Sequence, residues 1–245
     1  MNIIQVNNLT KTFGSFTAVD AISFDVKKGE IFGFLGANGA GKTTAMRMLS
    51  GLLKPTSGQG TVAGFDIRTQ SEQIKKSIGY MSQKFALYED LNVRENIRLY
   101  AGIYGVPHKE IEPRTQQLLQ QLNLEAERNT LVKSLPLGWK QKLAFSVAIF
   151  HRPQLVFLDE PTGGVDPAAR RNFWEMIYDA SDQGITVFVT THYMDEAEYC
   201  NRVSIMVDGR IEALDTPQRL KQHYDAQNMD DVFHKLARKS TRNSE

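Results

Sequence analysis

The sequence predicts an α/β fold, a core of buried parallel strands with a β-rich N-terminal region and a helical insert. Three observations predict it. The apolar run Ile31-Phe32-Gly33-Phe34-Leu35 enters a glycine-rich loop and is followed by a helix-compatible run over 44–53. A second apolar run, Leu155-Val156-Phe157-Leu158, ends in Asp159-Glu160, the pattern of a parallel strand buried on both faces. Between them, residues 85–150 turn mostly helical in periodicity, as an insert between strands would.

Each element follows in order. Ile3, Ile4, Val6 and Leu9 open a β-rich region, and residues 21–26 alternate apolar and polar as a half-buried strand does. Lys28-Gly29 turns the chain into the strand over 31–35. Gly51 and Lys54-Pro55-Thr56-Ser57-Gly58 break the chain after the first helix. A short strand is predicted over 61–64, a helix over 71–77 and a strand over 77–81 running out to Gln83. In the insert, 92–100 reads as a helix started by Asn92 with Glu95 three residues on, and 115–124 as a leucine-bearing helix, the two separated by Gly105-Val106-Pro107. After the strand at 155–158 come a helix over 168–180 and a strand over 185–190 with His192 just beyond it. Asp208-Gly209 between two apolar runs predicts a hairpin. Thr216-Pro217 starts the last helices, and the polar tail 238–245 is expected to fray. The predicted division is 1–220 for the main domain, with the insert at about 85–150, and 221–245 for a helical extension.

Composition bounds the function. With 41% hydrophobic and 23% charged residues the chain can build an ordinary core. Its net charge of +1 gives no electrostatic case for nucleic acid. The single cysteine, Cys200, forbids an internal disulfide and reads as a small buried apolar residue. No apolar stretch approaches the ~20 residues that span a bilayer, and the N-terminus lacks a secretion-signal pattern. The expected location is the cytosol, free or held at a membrane by a partner.

The chemistry is carried first by Gly36-Ala37-Asn38-Gly39-Ala40-Gly41-Lys42-Thr43-Thr44. Glycine, four residues, then Gly-Lys-Thr is the phosphate-loop spacing. Glycines let consecutive backbone N–H groups approach phosphate oxygens, and the following helix adds the positive end of its dipole. Lys42 is suited to the terminal phosphates and the Thr43 hydroxyl to Mg2+. A phosphate loop alone hydrolyses nothing. Asp159 and Glu160 emerge where open α/β sheets bind ligands, Asp159 to hold Mg2+ and Glu160 to act as general base on water. His192, beyond the next strand, is placed to bond a terminal phosphate oxygen and orient that water. His108, His151, His223 and His234 are given no role. Phe13 suits either adenine stacking or core packing.

With these residues in hand, the chain resembles the ATP-binding subunit of an ATP-binding cassette (ABC) transporter over almost its full length, to about residue 220. Phe13 falls at the adenine-stacking aromatic, 36–44 at Walker A and Gln83 at the Q-loop glutamine. Residues 155–159 fall at Walker B, Glu160 at the catalytic glutamate, Gly164-Val165-Asp166 at the D-loop and His192 at the switch histidine. The resemblance implies a P-loop NTPase fold, a RecA-like core with an antiparallel β-subdomain and an inserted α-helical subdomain. It implies ATP and Mg2+, the latter on Thr43, Gln83 and Asp159. It also implies a dimer that sandwiches two nucleotides between one subunit's P-loop and the other's signature loop, driving membrane permease subunits from the cytoplasmic face of the membrane. Residues 84–90 would, by the same resemblance, help form the groove for a permease coupling helix.

The signature loop departs from the family's LSGGQ. Leu135-Pro136-Leu137-Gly138-Trp139 lacks the serine hydroxyl, and Pro136 removes a backbone N–H. Leu137 and Gly138 keep theirs, and proline is compatible with a helix start. Either backbone donors suffice, or a second ATPase subunit of more usual sequence supplies the other loop. Similar loops in drug-exporter-like ATPases that work with ABC-2 type permeases make an exporter subunit the favoured function. The rivals are a soluble ABC ATPase acting on nucleic acid or ribosomes, which the near-neutral charge disfavours, and a regulatory nucleotide-binding subunit with weak hydrolysis.

Overall fold

The computed structural model describes residues 1–83 and 87–242. Lys84, Phe85 and Ala86 of the expected coupling-helix segment lie outside them, as do the last three residues of the tail. Strands β1 (Asn2–Phe13) and β2 (Phe16–Lys27) form a long antiparallel hairpin. Ile22, Phe24 and Val26 are buried at every second position of β2, as the alternation predicts. Strand β3 (Ile31–Leu35) is buried throughout and delivers the glycine-rich loop to helix α1 (Lys42–Leu49). The predicted helix ran to residue 53; the real one stops at Leu49. Gly51 takes a left-handed φ of 73°, and Leu52 N–H donates back to Arg47 O at 2.9 Å, a glycine-dependent helix stop.

Strands β4 (Ser57–Val62) and β5 (Phe65–Asp66) follow. The strand predicted over 61–64 is therefore displaced: Ala63 and Gly64, both at positive φ, form the turn between β4 and β5. Helix α2 (Ser71–Ser77) and strand β6 (Ile78–Met81) fall where the sequence put them. In the insert, α3 (Val93–Ile103) starts on a complete capping box: Glu95 N–H donates to the Asn92 side chain, and the Glu95 carboxylate accepts from Asn92 N–H. Helix α4 (His108–Gln121) begins well before the predicted 115, directly after Pro107. Helix α5 (Leu137–Ile149) begins immediately after Pro136.

Strand β7 (Leu155–Asp159), helix α6 (Pro167–Asp182) and strand β8 (Thr186–Thr191) continue the α/β alternation. Strands β9 (Arg202–Val207) and β10 (Arg210–Asp215) form the predicted hairpin, followed by α7 (Pro217–His223) and α8 (Met229–Arg242). The tail expected to fray from 238 is helical as far as Arg242, extending a helix already nucleated by buried Met229, Val232 and Leu236.

The strands build two sheets. One is antiparallel, in the order β2-β1-β4-β5. The other has the order β10-β9-β3-β8-β7-β6, parallel from β9 to β6. Their inner faces share a core centred on Phe24, Phe32, Phe34, Phe157 and Phe188, whose ring centroids lie 5.2–6.2 Å apart. Each such buried ring stabilises the fold by roughly 2–3 kcal/mol. On the other face of the parallel sheet, Phe145, Phe173, Trp174 and Ile177 pack with residues of α8. The helical insert has its own core, including Val93, Ile97, Leu119, Leu143 and Val147. Among the described residues no helix is long and apolar enough to cross a membrane.

His151, just past α5, joins the insert to the parallel sheet. Its ring stacks on Tyr104 at 3.9 Å and 10°. Burial pushes its pKa down to about 4, partly opposed by the Ile78 backbone. A base with a depressed folded pKa stabilises the fold above its unfolded pKa of 6.5 and loses that contribution as pH falls towards 4. Discounted for partial exposure, the loss is ~1–2 kcal/mol. His151→Phe keeps the stack and removes the titration. Denaturant melts from pH 7 to 4 should show a smaller fall in stability in the variant than in the wild type by about that amount.

Candidate active site

Parallel register brings the predicted residues to one edge. Leu35, the last residue of β3, lies opposite Thr191 of β8, and Asp159, the last of β7, lies opposite Thr190. The glycine-rich loop, Asp159-Glu160 and His192 therefore leave the sheet side by side. Asn38 and Gly39 sit exposed at the crest of the loop between them.

The loop needs its glycines for different reasons. A Cβ at Gly36 would meet Met206 O at 2.5 Å, and one at Gly41 would meet Ala18 O at 2.3 Å with φ already at 103°. Gly39 has open space and needs only its left-handed φ of 85°. Helix α1 has neither a side-chain cap nor an acidic residue in its first turn. Its first-turn N–H groups are thus left for an anion. Buried Lys42, 4% exposed, donates from Nζ to Gly36 O at 2.8 Å and Ala37 O at 3.1 Å.

Glu160 is the meeting point. Its Oε1 lies 3.3 Å from Lys42 Nζ. Its Oε2 accepts from Gln83 Nε2 at 3.1 Å and lies 3.1 Å from His192 Nδ1. Three other residues singled out in the sequence, Lys42, Gln83 and His192, thus converge on one carboxylate. Next to it, Asp159 accepts from Thr190 Oγ1 at 2.8 Å and from Thr43 Oγ1 at 3.4 Å. Burial holds the Asp159 carboxyl above its ordinary pKa, with the Thr190 hydrogen bond opposing and Glu160's charge adding to the rise. A divalent cation at this position would reverse that balance. The paired oxygen donors, one hydroxyl and one carboxylate, fit Mg2+, which takes few protein ligands and completes its shell from water and phosphate.

Other sequence-predicted residues lie elsewhere. Phe13 ends β1 at 51% exposure with Lys11 Nζ 5.1 Å from its ring centroid, which removes the core-packing role. Asp166 caps α6, its Oδ1 accepting from Ala168 and Ala169 N–H at 3.0 Å. Leu137 is 44% exposed at the start of α5, and a Cβ at Gly138 would come no nearer than 3.7 Å, to Ala169. Leu137, Gly138 and Asp166 thus share a surface formed by the N-termini of α5 and α6. Among the described residues no hydrogen bond or ion pair ties them to the glycine-rich loop. Cys200 is buried, and burial pushes its thiol pKa up, as the sequence reading of an inert residue expects.

A family model described as ABC transporter matches residues 19–163. The chain belongs to the ABC transporter family. It is 46% identical over 89% of its length to a protein named "Probable multidrug ABC transporter ATP-binding protein YbhF" from Escherichia coli K12, of which it spans 38%. It is 37% identical over 87% of its length to the linearmycin resistance ATP-binding protein LnrL of Bacillus subtilis 168, of which it spans 69%. A solved structure titled as the ATP binding subunit of an ABC transporter superposes with a TM-score of 0.85 at 27% identity, covering 96% of this chain and 99% of that one. As an ABC family member the chain has the P-loop NTPase architecture predicted for it.

Three contributors to this candidate site were not singled out from the sequence. Thr190 holds Asp159 and accepts from Glu160 N–H at 3.1 Å. Gln141 of α5 donates to Pro161 O at 2.6 Å. Glu196, wholly buried, accepts from Thr162 Oγ1 and faces Arg170, whose guanidinium lies 4.0 Å from the Tyr193 ring centroid. None of the three carried a signal in the sequence: even Gln141 shares the buried side of α5 with another polar residue, Ser146.

The closest steric test of the site is Gly41. Gly41→Ala must relieve a 2.3 Å approach to backbone at a left-handed φ. Its thermal unfolding should show a loss of ~2–4 kcal/mol, whereas Gly39→Ala, with free space around it, should lose only ~1–2 kcal/mol.

Proposed function

We propose that this chain is the ATP-binding and ATP-hydrolysing subunit of an ABC transporter, driving a separate membrane permease from the cytoplasmic face. The convergence of Lys42, Gln83 and His192 on Glu160 carries this reading. Lys42 and the N–H groups of residues 37–44 bind the phosphates, Lys42 as a point charge and the loop as a ring of donors. Phe13 stacks on the base from its exposed position at the hairpin tip. Thr43 and Asp159, joined by the Gln83 side-chain oxygen, hold Mg2+. When bound, the cation supplies charge neutralisation across the terminal phosphates. Glu160 accepts a proton from the attacking water, and His192 orients it by bonding the terminal phosphate.

The surface carrying Leu137, Gly138 and Asp166 is a half-site, and it supports a dimer in which each chain completes the other's site. The partner is a second copy or a related ATPase subunit. The names of YbhF and LnrL favour an exporter. Trp139 and Lys140 N–H donate to Pro136 O at 3.0 and 3.1 Å, so α5 is well started without a serine cap, and the N–H groups of Leu137 and Gly138 point forward. Backbone donors then suffice across the dimer.

Two experiments test this. Glu160→Gln should retain ATP binding and lose ~100- to 10,000-fold in turnover, while Lys42→Ala should lose binding itself; a Glu160→Gln protein that hydrolyses normally overturns the assignment of the base. Replacing Pro136 by Ser together with Leu137 by Gly should change turnover of the assembled transporter by less than about threefold. A gain near the ~100-fold worth of a missing transition-state donor would show that the altered loop limits hydrolysis.

A further inference from the structure

Glu160 is backbone-strained. Its φ is 47°, in the left-handed region, and the next residue is proline. A β-carbon in this region costs of order 1–3 kcal/mol, so the conformation persists only where its surroundings impose it. On the N-terminal side, Glu160 N–H is held by Thr190 O and Thr190 Oγ1, both at 3.1 Å. On the C-terminal side, the Glu160 carbonyl accepts from Gly163 N–H at 3.2 Å, and the next carbonyl, that of Pro161, accepts from Gln141 Nε2 at 2.6 Å. Gln141 is 1% exposed and belongs to α5. A buried amide of this kind costs free energy unless it is bonded. It is spent on a single carbonyl, one peptide beyond the one by which the chain leaves the base.

We propose that Gln141 is a positioning residue for Glu160. By fixing the Pro161 carbonyl it closes the second side of the clamp that holds Glu160 in its left-handed conformation, with the carboxylate directed at Lys42, Gln83 and His192. Thr162 is tied in turn to Glu196 by its hydroxyl, so the segment after the base is fixed to α5 on one side and to the short 3-10 helix Met194–Tyr199 beyond His192 on the other. Gln141 lies one helical turn after Leu137. A displacement of the start of α5 therefore reaches Glu160 of the same chain through one hydrogen bond. This inference rests on Glu160 being the base, and through the dimer it links the half-site offered to a partner with the chain's own chemistry.

The test is a double-mutant cycle on the full chain in its transporter complex. Gln141→Met keeps length and burial and removes the donor. It should lower kcat about 100-fold, the size expected from a misplaced catalytic group, with ATP affinity unchanged and the thermal midpoint lowered by only a few degrees, the cost of one unpaired carbonyl. On a Glu160→Gln background it should cost nothing further, because the group it positions is already disabled. If Gln141→Met folds poorly, Gln141→Asn, polar but one methylene too short to reach Pro161 O, should give the same split between kcat and affinity. An unchanged kcat in either variant, an equal loss on the Glu160→Gln background, or affinity and midpoint falling in step with kcat would overturn the proposal. Normal hydrolysis by Glu160→Gln alone would instead overturn the identity of the base.

Discussion

Parallel pairing of β3 and β7 to β8 is the constraint on which the rest of the molecule depends. Register sets Leu35 opposite Thr191 and Asp159 opposite Thr190. From those two pairings it follows that a phosphate loop, a carboxylate pair and a histidine, the loop more than a hundred residues of chain from the other two, leave the sheet within hydrogen-bonding distance. A one-residue slip of either strand would turn its apolar side chains from one buried face to the other and break the alignment. The phenylalanine core between the sheets resists such a slip, because Phe32, Phe34, Phe157 and Phe188 come from all three strands.

Around that edge, charge is handled by pairing rather than by exposure. Lys42 and Glu160 are both largely buried, at 4% and 11% side-chain exposure, and each is the other's counterion. Removing either leaves an uncompensated buried charge, which is more disruptive than losing both. Asp159 differs. Its neighbours include a hydroxyl donor but also the Glu160 charge, and burial raises its proton affinity. Of the two adjacent carboxylates, one is already paired within the protein, and in the function proposed above the other is left to be neutralised by a cation. Two neighbouring acids acquire different tasks from their surroundings.

Most of the architecture was legible in the sequence because it depends on local pattern. Apolar runs mark β3 and β7, Asn92 and Glu95 mark the start of α3, and Asp208-Gly209 marks the last hairpin. The errors were local too. The end of α1 is decided by Gly51, the turn at Ala63-Gly64 by two positive φ values, and the start of α4 by Pro107. The core of the site was legible because the glycine spacing and the Asp-Glu pair carry chemistry in their order. What could not be read was how that chemistry is held in place. Thr190, Gln141 and Glu196 act through partners 20 to 34 residues away in sequence, and nothing in their own neighbourhoods distinguishes them from ordinary strand or helix residues. The Phe13 alternatives were divided by exposure, a property of the folded hairpin.

Pro136 bears on assembly. Its φ of −55° is close to what its ring enforces in any state of the chain. The approach to α5 is consequently almost as restricted before two subunits meet as after. A serine-led loop gains a hydroxyl contact but must also be ordered when it docks, and ordering side chains and loops is among the main costs of association. In the assembly proposed above the trade runs the other way: fewer donors, presented on a start that is already rigid.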